Sequence, residues 1–269
     1  MVWYSQIFEK LIWRVLRRTC CSSLACTGKK GEQMTRGWEF VKGRFTHDHG
    51  YGLNLSIALT SLLLALYFFG MIVKGWINRG SLYYLDFTVQ RLVEGIVNPT
   101  MTIFMTDITF LGSDTFKWGL AGLVIIILLL KKQWWTMLSL LITIRVGEVI
   151  LSFLKEFFHR ARPMPQIVSA KGYSFPSGHS FCSMLVYGFM IYLTWKFIRN
   201  NWLRSLIFIL CTLLILLIGF SRIYLNVHWL TDVLGGFSAA FSWLMINIIV
   251  LEVIKHLRPG KKEPEEASR

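Results

Sequence analysis

Three short segments of the chain bring together the residue types that a phosphate-transferring site requires. They are residues 155–163 (KEFFHRARP), 175–180 (FPSGHS) and 221–232 (SRIYLNVHWLTD), which lie within 78 residues and alternate with strongly apolar stretches. They contain three cations, two histidines, an aspartate and a Ser-Gly turn, namely Lys155, Arg162, Arg222, His179, His228, Asp232, Ser177 and Gly178. This set predicts a site that transfers a phosphoryl group without a metal or another cofactor.

The cations suit the charge of a phosphoryl group under attack. In the transition state, negative charge spreads over three equatorial oxygens, and fixed cations stabilise it. Arg162 and Arg222 can each bond phosphate through two N–H groups, whereas Lys155 acts as a point charge. Ser177 and Gly178 precede an apolar segment, so we expect a helix start whose hydroxyl and backbone N–H groups bind an anion.

The two histidines can divide the work of a nucleophile and a general acid. Asp232 follows His228 by four residues, one helical turn, so the two side chains can meet on one face. A carboxylate that accepts one ring N–H fixes the tautomer and leaves the other nitrogen's lone pair free to attack phosphorus. We therefore predict His228 as the nucleophile. His179 has no such partner in the sequence, and we predict that it protonates the leaving oxygen and then activates water.

The pattern resembles the type 2 phosphatidic acid phosphatase family, the membrane relatives of the vanadium haloperoxidases. That family's motifs read Lys, six residues, Arg-Pro; then Pro-Ser-Gly-His; then Ser-Arg, five residues, His, three residues, Asp. Residues 155–163, 176–179 and 221–232 match every motif position, and residues 106–113 (TDITFLGS) are similar to bacterial members. The resemblance covers residues 53–254 and implies a six-helix bundle and a metal-independent lipid phosphatase, with the roles given above.

Composition and charge distribution indicate an integral membrane protein. The chain is 54% hydrophobic, with a mean hydropathy of +0.50, which is too apolar for an ordinary soluble domain. The formal charge of +14 does not predict nucleic-acid binding, because most Lys and Arg lie in short segments between apolar runs. The five cysteines show no metal-binding spacing, and we interpret them as reduced thiols.

The apolar runs predict an all-α protein with six transmembrane helices. The predicted spans are residues 53–73, 116–130, 134–154, 179–195, 205–224 and 231–254, with Lys117 expected to extend its charge towards the membrane surface. Residues 79–115 contain apolar stretches broken by charges and prolines, and we expect one or two helices that lie on the membrane or partly re-enter it. A seventh span in this segment is the alternative.

Positive charges predict the topology and the domain organisation. With six spans, the N-terminal segment, the second and fourth connecting loops and the C-terminal tail share one side. The nine Lys and Arg before residue 50 then place both termini in the cytoplasm. All three motifs fall on the external, periplasmic face of the plasma (inner) membrane. We divide the chain into a basic, amphipathic cytoplasmic segment (1–50), a phosphatase domain (51–256) and a disordered cytoplasmic tail (257–269).

Arg145 and Glu148 form a second charged group, predicted near the middle of the third span. Ionisable residues at that depth are costly, and a spacing of three allows them to pair along the helix. One interpretation is a self-neutralised pair that holds the bundle together. The other is a functional pair that positions Lys155, seven residues further on. We favour the structural interpretation, because two helical turns span about 10 Å.

The leading functional hypothesis is hydrolysis of the terminal phosphate of a membrane lipid on the external face. Candidate substrates are phosphatidate, phosphatidylglycerophosphate, a polyprenyl diphosphate and a lipid A phosphate. The alternative is a phosphotransferase that passes the same phosphoryl group to a lipid acceptor. A lipid-phosphate binder or flippase is a third hypothesis, disfavoured because binding alone needs only the cations. The expected partners are the lipid phosphate and the surrounding membrane lipids; the sequence predicts no oligomeric state.

Overall fold

The structure, a computed structural model, describes residues 50–257. The chain divides into two units, Met1–Leu55 and Ser56–Arg269, and the packing given below lies within the second. The amphipathic segment predicted for residues 1–50 and the tail predicted for residues 257–269 therefore lie almost entirely outside the described residues.

The described part of the chain is all-α, as predicted, and contains eight helices. They are α1 (Gly50–Ile77), α2 (Ser81–Glu94), α3 (Pro99–Phe110), α4 (Asp114–Leu130), α5 (Trp134–Phe158), α6 (Gly178–Phe197), α7 (Asn201–Tyr224) and α8 (Leu230–Leu257).

Several of these helices are long and apolar enough to cross a membrane. Within residues 50–257, four qualify, namely Leu55–Ile77 of α1, α5, α7 and Leu230–Ile254 of α8. A fifth results if α3 and α4, which bend by 43° at their junction, form one broken span. The remaining predicted span corresponds to α6, whose 20 residues begin with the polar Gly178, His179 and Ser180. The chain is thus an integral membrane protein with four or five candidate spans in its described part.

The segment between the first two predicted spans forms the two helices α2 and α3. Asn98 caps α3 by accepting the backbone N–H of Met101 at 2.9 Å, and Pro99 occupies the first helical position, where its missing N–H is not needed. Ser113 caps α4 in the same way through the N–H of Phe116. Only the Ser113 cap lies at the bend, and it marks the point where a new helix begins.

Helix ends bring the motif residues to one end of the bundle. Lys155 lies in the last turn of α5 and Arg222 in the last turn of α7. Gly178 begins α6, and Asp232 lies in the first turn of α8. Consecutive helices from α5 to α8 run in opposite directions, so two carboxyl ends meet two amino ends; the connections after α6 and α7 are short, whereas residues 159–177 connect α5 to α6. Helix α5 continues to Phe158, four residues beyond its predicted end, so Lys155 is helical.

Helix α6 lies at the centre of the packing, against α5, α7 and α8. Its buried side chains Phe181, Leu185 and Phe189 contribute to the main apolar core that α4, α5 and α8 complete. At the motif end, α8 approaches the start of α6 so closely that a Cβ on Gly236 would lie 2.8 Å from the carbonyl oxygen of Ser177. Glycine at this position is therefore what allows the two helix starts to meet.

The ionisable residues inside the helices pair differently from the prediction. The side chain of Lys117 is 4% exposed and bonds Glu148 and Asp114, each at 2.6 Å. Arg145 contacts Glu148 at 3.4 Å, as predicted, but is 68% exposed and stacks 4.1 Å above the ring of Trp118. Lys117 thus has, besides Asp114, a compensating charge on a neighbouring helix, 31 positions away, that the sequence pattern did not identify.

Candidate active site

His228 lies in the short turn between α7 and α8 and is 2% exposed. Arg162 approaches its Nε2 atom with Nη1 at 3.1 Å. A guanidinium can only donate, so a neutral His228 must accept at Nε2 and carry its proton on Nδ1. Burial lowers the pKa of His228 to about 4, against the opposing pull of Asp232, so the imidazole is neutral at physiological pH. Its lone pair therefore points to the side on which Arg162 lies.

Asp232 holds the other side of the imidazole. Its Oδ2 atom lies 3.5 Å from Nδ1 of His228 and accepts the backbone N–H of Trp229 at 2.9 Å. The same oxygen accepts the hydroxyl of Ser174, and Oδ1 accepts Nη1 of Arg160 at 2.6 Å. A fully buried carboxylate with this many donors is fixed in position and orients the ring of His228.

Arg162 is bound by backbone carbonyl groups that hold its guanidinium against His228. It donates to the oxygens of Val227 at 2.7 Å, Lys171 at 2.9 Å and Gly172 at 3.0 Å. Neutral carbonyls position the guanidinium without cancelling its charge. Within residues 50–257 Arg162 forms no ion pair, so its positive charge lies beside the predicted nucleophilic nitrogen.

Two further cations belong to the same end of the bundle. Lys155 donates to the carbonyl of Tyr173 at 3.2 Å, in the loop that also binds Arg162. Arg222 is 6% exposed and donates through Nη1 to the hydroxyl of Thr109 at 2.8 Å, within the 106–113 stretch. The Nε–H of Arg222 is buried without a protein acceptor among the described residues. An unpaired buried donor is costly, and the oxygen of a bound phosphate would satisfy it.

The start of α6 differs in detail from the expected anion cradle. The N–H of Ser177 donates to the carbonyl of Asp232 at 2.9 Å, and its hydroxyl lies 3.0 Å from that of Ser180. Ser177 thus ties α6 to α8, while Gly178 and the residues after it contribute the free N–H groups of a helix start. The ring of His179 lies next to Gly112, since a Cβ on that glycine would come within 3.4 Å of it.

The structure adds buried residues to the site that the motif pattern did not identify. Arg160, only two positions before Arg162, bonds Asp232 and is 6% exposed. Asp86 of α2 is 1% exposed and bonds both Arg160 and Thr231. Ser174 bonds Asp232, as described above. A second arginine inside the first motif was the available signal for Arg160, whereas nothing local in the sequence connects Asp86 to this site.

Comparisons with known proteins identify relatives of this chain. Residues 136–254 match the family model described as the PAP2 superfamily. The chain is 31% identical over 199 residues to phosphatidylglycerophosphatase B of Bacillus subtilis, a match that covers 72% of this chain and 97% of that protein.

Two solved structures share the fold. The crystal structure of a transmembrane PAP2 type phosphatidylglycerolphosphate phosphatase from Bacillus subtilis superposes with a TM-score of 0.64 at 28% identity, covering 75% of this chain and 98% of that one. The crystal structure of Aquifex aeolicus LpxE gives a TM-score of 0.50 at 23% identity, covering 61% of this chain and 94% of that one. The motif residues that converge at the ends of α5 to α8, and a relative aligned over nearly its whole length, show that the chain belongs to the PAP2 superfamily.

Proposed function

We propose that this protein is a membrane phosphatase that removes the terminal phosphate of a lipid phosphate or diphosphate through a phosphohistidine on His228. The observation that carries the proposal is the position of His228 between Asp232 and Arg162. A buried imidazole with its proton towards a carboxylate and its lone pair towards a cation is arranged to attack an anionic electrophile. A site that only bound phosphate would not need this arrangement.

In the first step, the Nε2 lone pair of His228 forms a bond to phosphorus while the bond from phosphorus to the lipid oxygen breaks. Arg162 exchanges its hydrogen bond to Nε2 for one to a phosphate oxygen, which frees the lone pair, and with Lys155 and Arg222 it stabilises the charge on the equatorial oxygens. Asp232 stabilises the positive charge that the imidazole acquires. The negative charge of the bound phosphate favours the protonated form of His179, which gives that proton to the departing lipid oxygen.

In the second step, water attacks the phosphohistidine. His179, now unprotonated, takes a proton from the water as the new oxygen–phosphorus bond forms and the nitrogen–phosphorus bond breaks. Inorganic phosphate leaves, and His228 and His179 return to their starting protonation states. Three cations surround the phosphate position and would repel a divalent metal, which supports a metal-independent reaction.

The substrate that we propose to test first is phosphatidylglycerophosphate. The relatives matched over 97–98% of their length carry the names phosphatidylglycerophosphatase B and phosphatidylglycerolphosphate phosphatase. Phosphatidate, polyprenyl diphosphates and lipid A phosphates remain within the proposed class, because the cations recognise the phosphate and not the rest of the lipid.

We also propose the topology that the charge pattern predicts, with six spans, cytoplasmic termini and an external site. Counting α6 and the bent α3–α4 pair as spans, together with the four long apolar helices, gives six. The motif residues lie at one end of α5 to α8, which supports their placement on one face.

Phosphate release from a panel of these lipids in mixed micelles tests the proposal, with His228→Ala as the inactive control. We expect metal-free phosphate release, with the highest kcat/KM for phosphatidylglycerophosphate. No phosphate release from any lipid would reject a phosphatase. Faster transfer to an added lipid alcohol than to water would instead identify a phosphotransferase.

A further inference from the structure

We propose that Arg160 and Asp86 are positioning residues that hold Asp232, and through it His228, in the geometry for attack. This inference rests on the proposed function. It assigns a role to a second arginine of the first motif and to a helix, α2, that contains none of the three motifs.

Arg160 connects α2 to the start of α8. One arm of its guanidinium, Nη2, donates to Oδ2 of Asp86 at 2.6 Å. The other arm, Nη1, donates at 2.6 Å both to Oδ1 of Asp232 and to the hydroxyl of Thr231. Because the planar guanidinium of Arg160 bonds both carboxylates at once, neither carboxylate can rotate freely.

The charges in this chain of contacts depend on one another. The carboxylates of Asp86 and Asp232 are both 0% exposed, and the arginine between them is 6% exposed. Buried charges at this density are tolerated only when they are paired and fully hydrogen-bonded. Removing Arg160 would therefore leave two buried carboxylates without their shared cation.

Aromatic rings and the backbone fix the guanidinium itself. The Cζ atom of Arg160 lies 5.0 Å from the ring centroid of Trp76 and 5.7 Å from that of Trp229, so cation–π attraction adds to the ion pairs. The carbonyl of Arg160 accepts the N–H of Ser174 at 2.7 Å, and the hydroxyl of Ser174 reaches Asp232. The same residue thus supports Asp232 twice, once directly and once through Ser174.

Arg160 and His228 contact different oxygens of the Asp232 carboxylate, and this orients the imidazole of His228. Arg160 binds Oδ1 of Asp232, so Oδ2 is the oxygen that faces Nδ1 of His228. Asp86 secures the position of Asp232 as well, because it accepts the backbone N–H of Thr231 at 2.9 Å in the first turn of α8. Without these contacts the carboxylate can rotate or shift, and the imidazole loses its fixed tautomer and direction.

A purely structural role for Arg160 and Asp86 makes different predictions from a positioning role. If the role is purely structural, substitutions at Arg160 and Asp86 lower the folded yield and the thermal stability but leave the turnover of each folded molecule unchanged. Loss of positioning slows formation of the phosphoenzyme with little change in KM, because the phosphate-binding cations remain.

The test compares Arg160→Met, Arg160→Lys and Asp86→Asn with two matched surface controls on α2, Arg91→Met and Glu94→Gln, whose original residues are exposed. Each variant of the full chain is purified, its folded fraction is measured by size exclusion and thermal melting, and phosphoenzyme formation is followed by rapid acid quench. Arg160→Lys and Asp86→Asn preserve most of the volume, so they keep the test valid if Arg160→Met does not fold.

We expect Arg160→Met to slow phosphoenzyme formation by about 100-fold per folded molecule, with KM within about threefold of wild type. Asp86→Asn should slow it about tenfold, and Arg160→Lys should lie between wild type and Arg160→Met. Combining Asp86→Asn with Arg160→Met should reduce the rate by less than the product of the single effects, because both act through Asp232.

Folded Arg160→Lys and Asp86→Asn variants with rates within threefold of the controls would overturn the positioning role, as would a rise in KM with unchanged kcat. Failure of the proposed function is distinguishable, because the wild-type protein would then release no phosphate from any lipid. An inactive wild type thus rejects the function, whereas an active wild type with unaffected variants rejects only the role of Arg160 and Asp86.

Discussion

Replacing Glu148 with glutamine should destabilise the protein, because it removes the charge that compensates a buried lysine. Lys117 is 4% exposed and bonds Glu148 at 2.6 Å across α4 and α5. The other partner of Lys117, Asp114, is 84% exposed and compensates it less well. Trp118 also donates its ring N–H to Glu148 at 3.1 Å, a bond that glutamine can still accept.

The expected magnitude follows from burial. Removing one partner of a fully buried ion pair costs roughly 3–5 kcal/mol. Glu148 is 30% exposed and Lys117 keeps Asp114, so we expect about 2 kcal/mol for Glu148→Gln. Arg145→Met is the matched control: its side chain is 68% exposed, and we expect a change of less than about 0.5 kcal/mol.

Thermal melting in detergent, with phosphatase activity measured on the folded fraction, distinguishes these outcomes. The double change Lys117→Met with Glu148→Leu should recover most of the lost stability and keep wild-type specific activity, because apolar side chains of similar volume can replace a buried pair. Equal destabilisation by Glu148→Gln and Arg145→Met would refute the assignment of Lys117 as the main partner. A well-folded but inactive double variant would place the pair in the catalytic apparatus.

Three other predictions concern the site and its orientation. Activity should persist in EDTA and be inhibited by vanadate, which adopts trigonal-bipyramidal geometry against His228; loss on chelation that Mg²⁺ restores would contradict this. In a background without native cysteines, a cysteine at Ala170 should react with an impermeant thiol reagent in intact cells and one at Asn200 should not; the reverse pattern would reject the topology. Because burial lowers the pKa of His228 from 6.5 to about 4, its neutral form favours folding above pH 6.5. That advantage, on the order of 3 kcal/mol, is lost as the pH falls to 4. Melting curves should therefore show that wild type loses stability relative to His228→Gln as the pH falls from 6.5 to 4. A difference in stability that stays constant over this range would refute a buried neutral imidazole.

The sequence was sufficient to predict the convergence of the motif residues because they stand at helix ends. Apolar runs of about 20 residues predict the helices, and successive membrane spans must alternate in direction. The carboxyl ends of α5 and α7, which carry Lys155 and Arg222, therefore lie on the same side as the amino ends of α6 and α8. Those amino ends carry His179 and Asp232. The same patterns fixed helix ends only to within about one turn, as the extension of α5 to Phe158 shows.

The residues that were missed or misplaced depend on contacts between distant parts of the chain. Arg160 occupies a motif position that the family pattern leaves open, and its burial requires Asp86, which lies 74 positions earlier. Lys117 is buried because Glu148, 31 positions later, faces it from another helix. No local periodicity encodes either pairing, since each depends on how two helices are rotated against one another.

The most direct test of the account is acid-quench labelling with a lipid substrate that carries a labelled terminal phosphate. The account predicts phosphohistidine in the wild-type protein and none in His228→Ala. In His179→Ala, both formation and hydrolysis of the phosphohistidine should be slowed. His159→Asn provides the control, because His159 is 58% exposed and asparagine tolerates its left-handed backbone at φ 48°. A normal level of phosphohistidine in His228→Ala would contradict the account's central claim that His228 is the nucleophile.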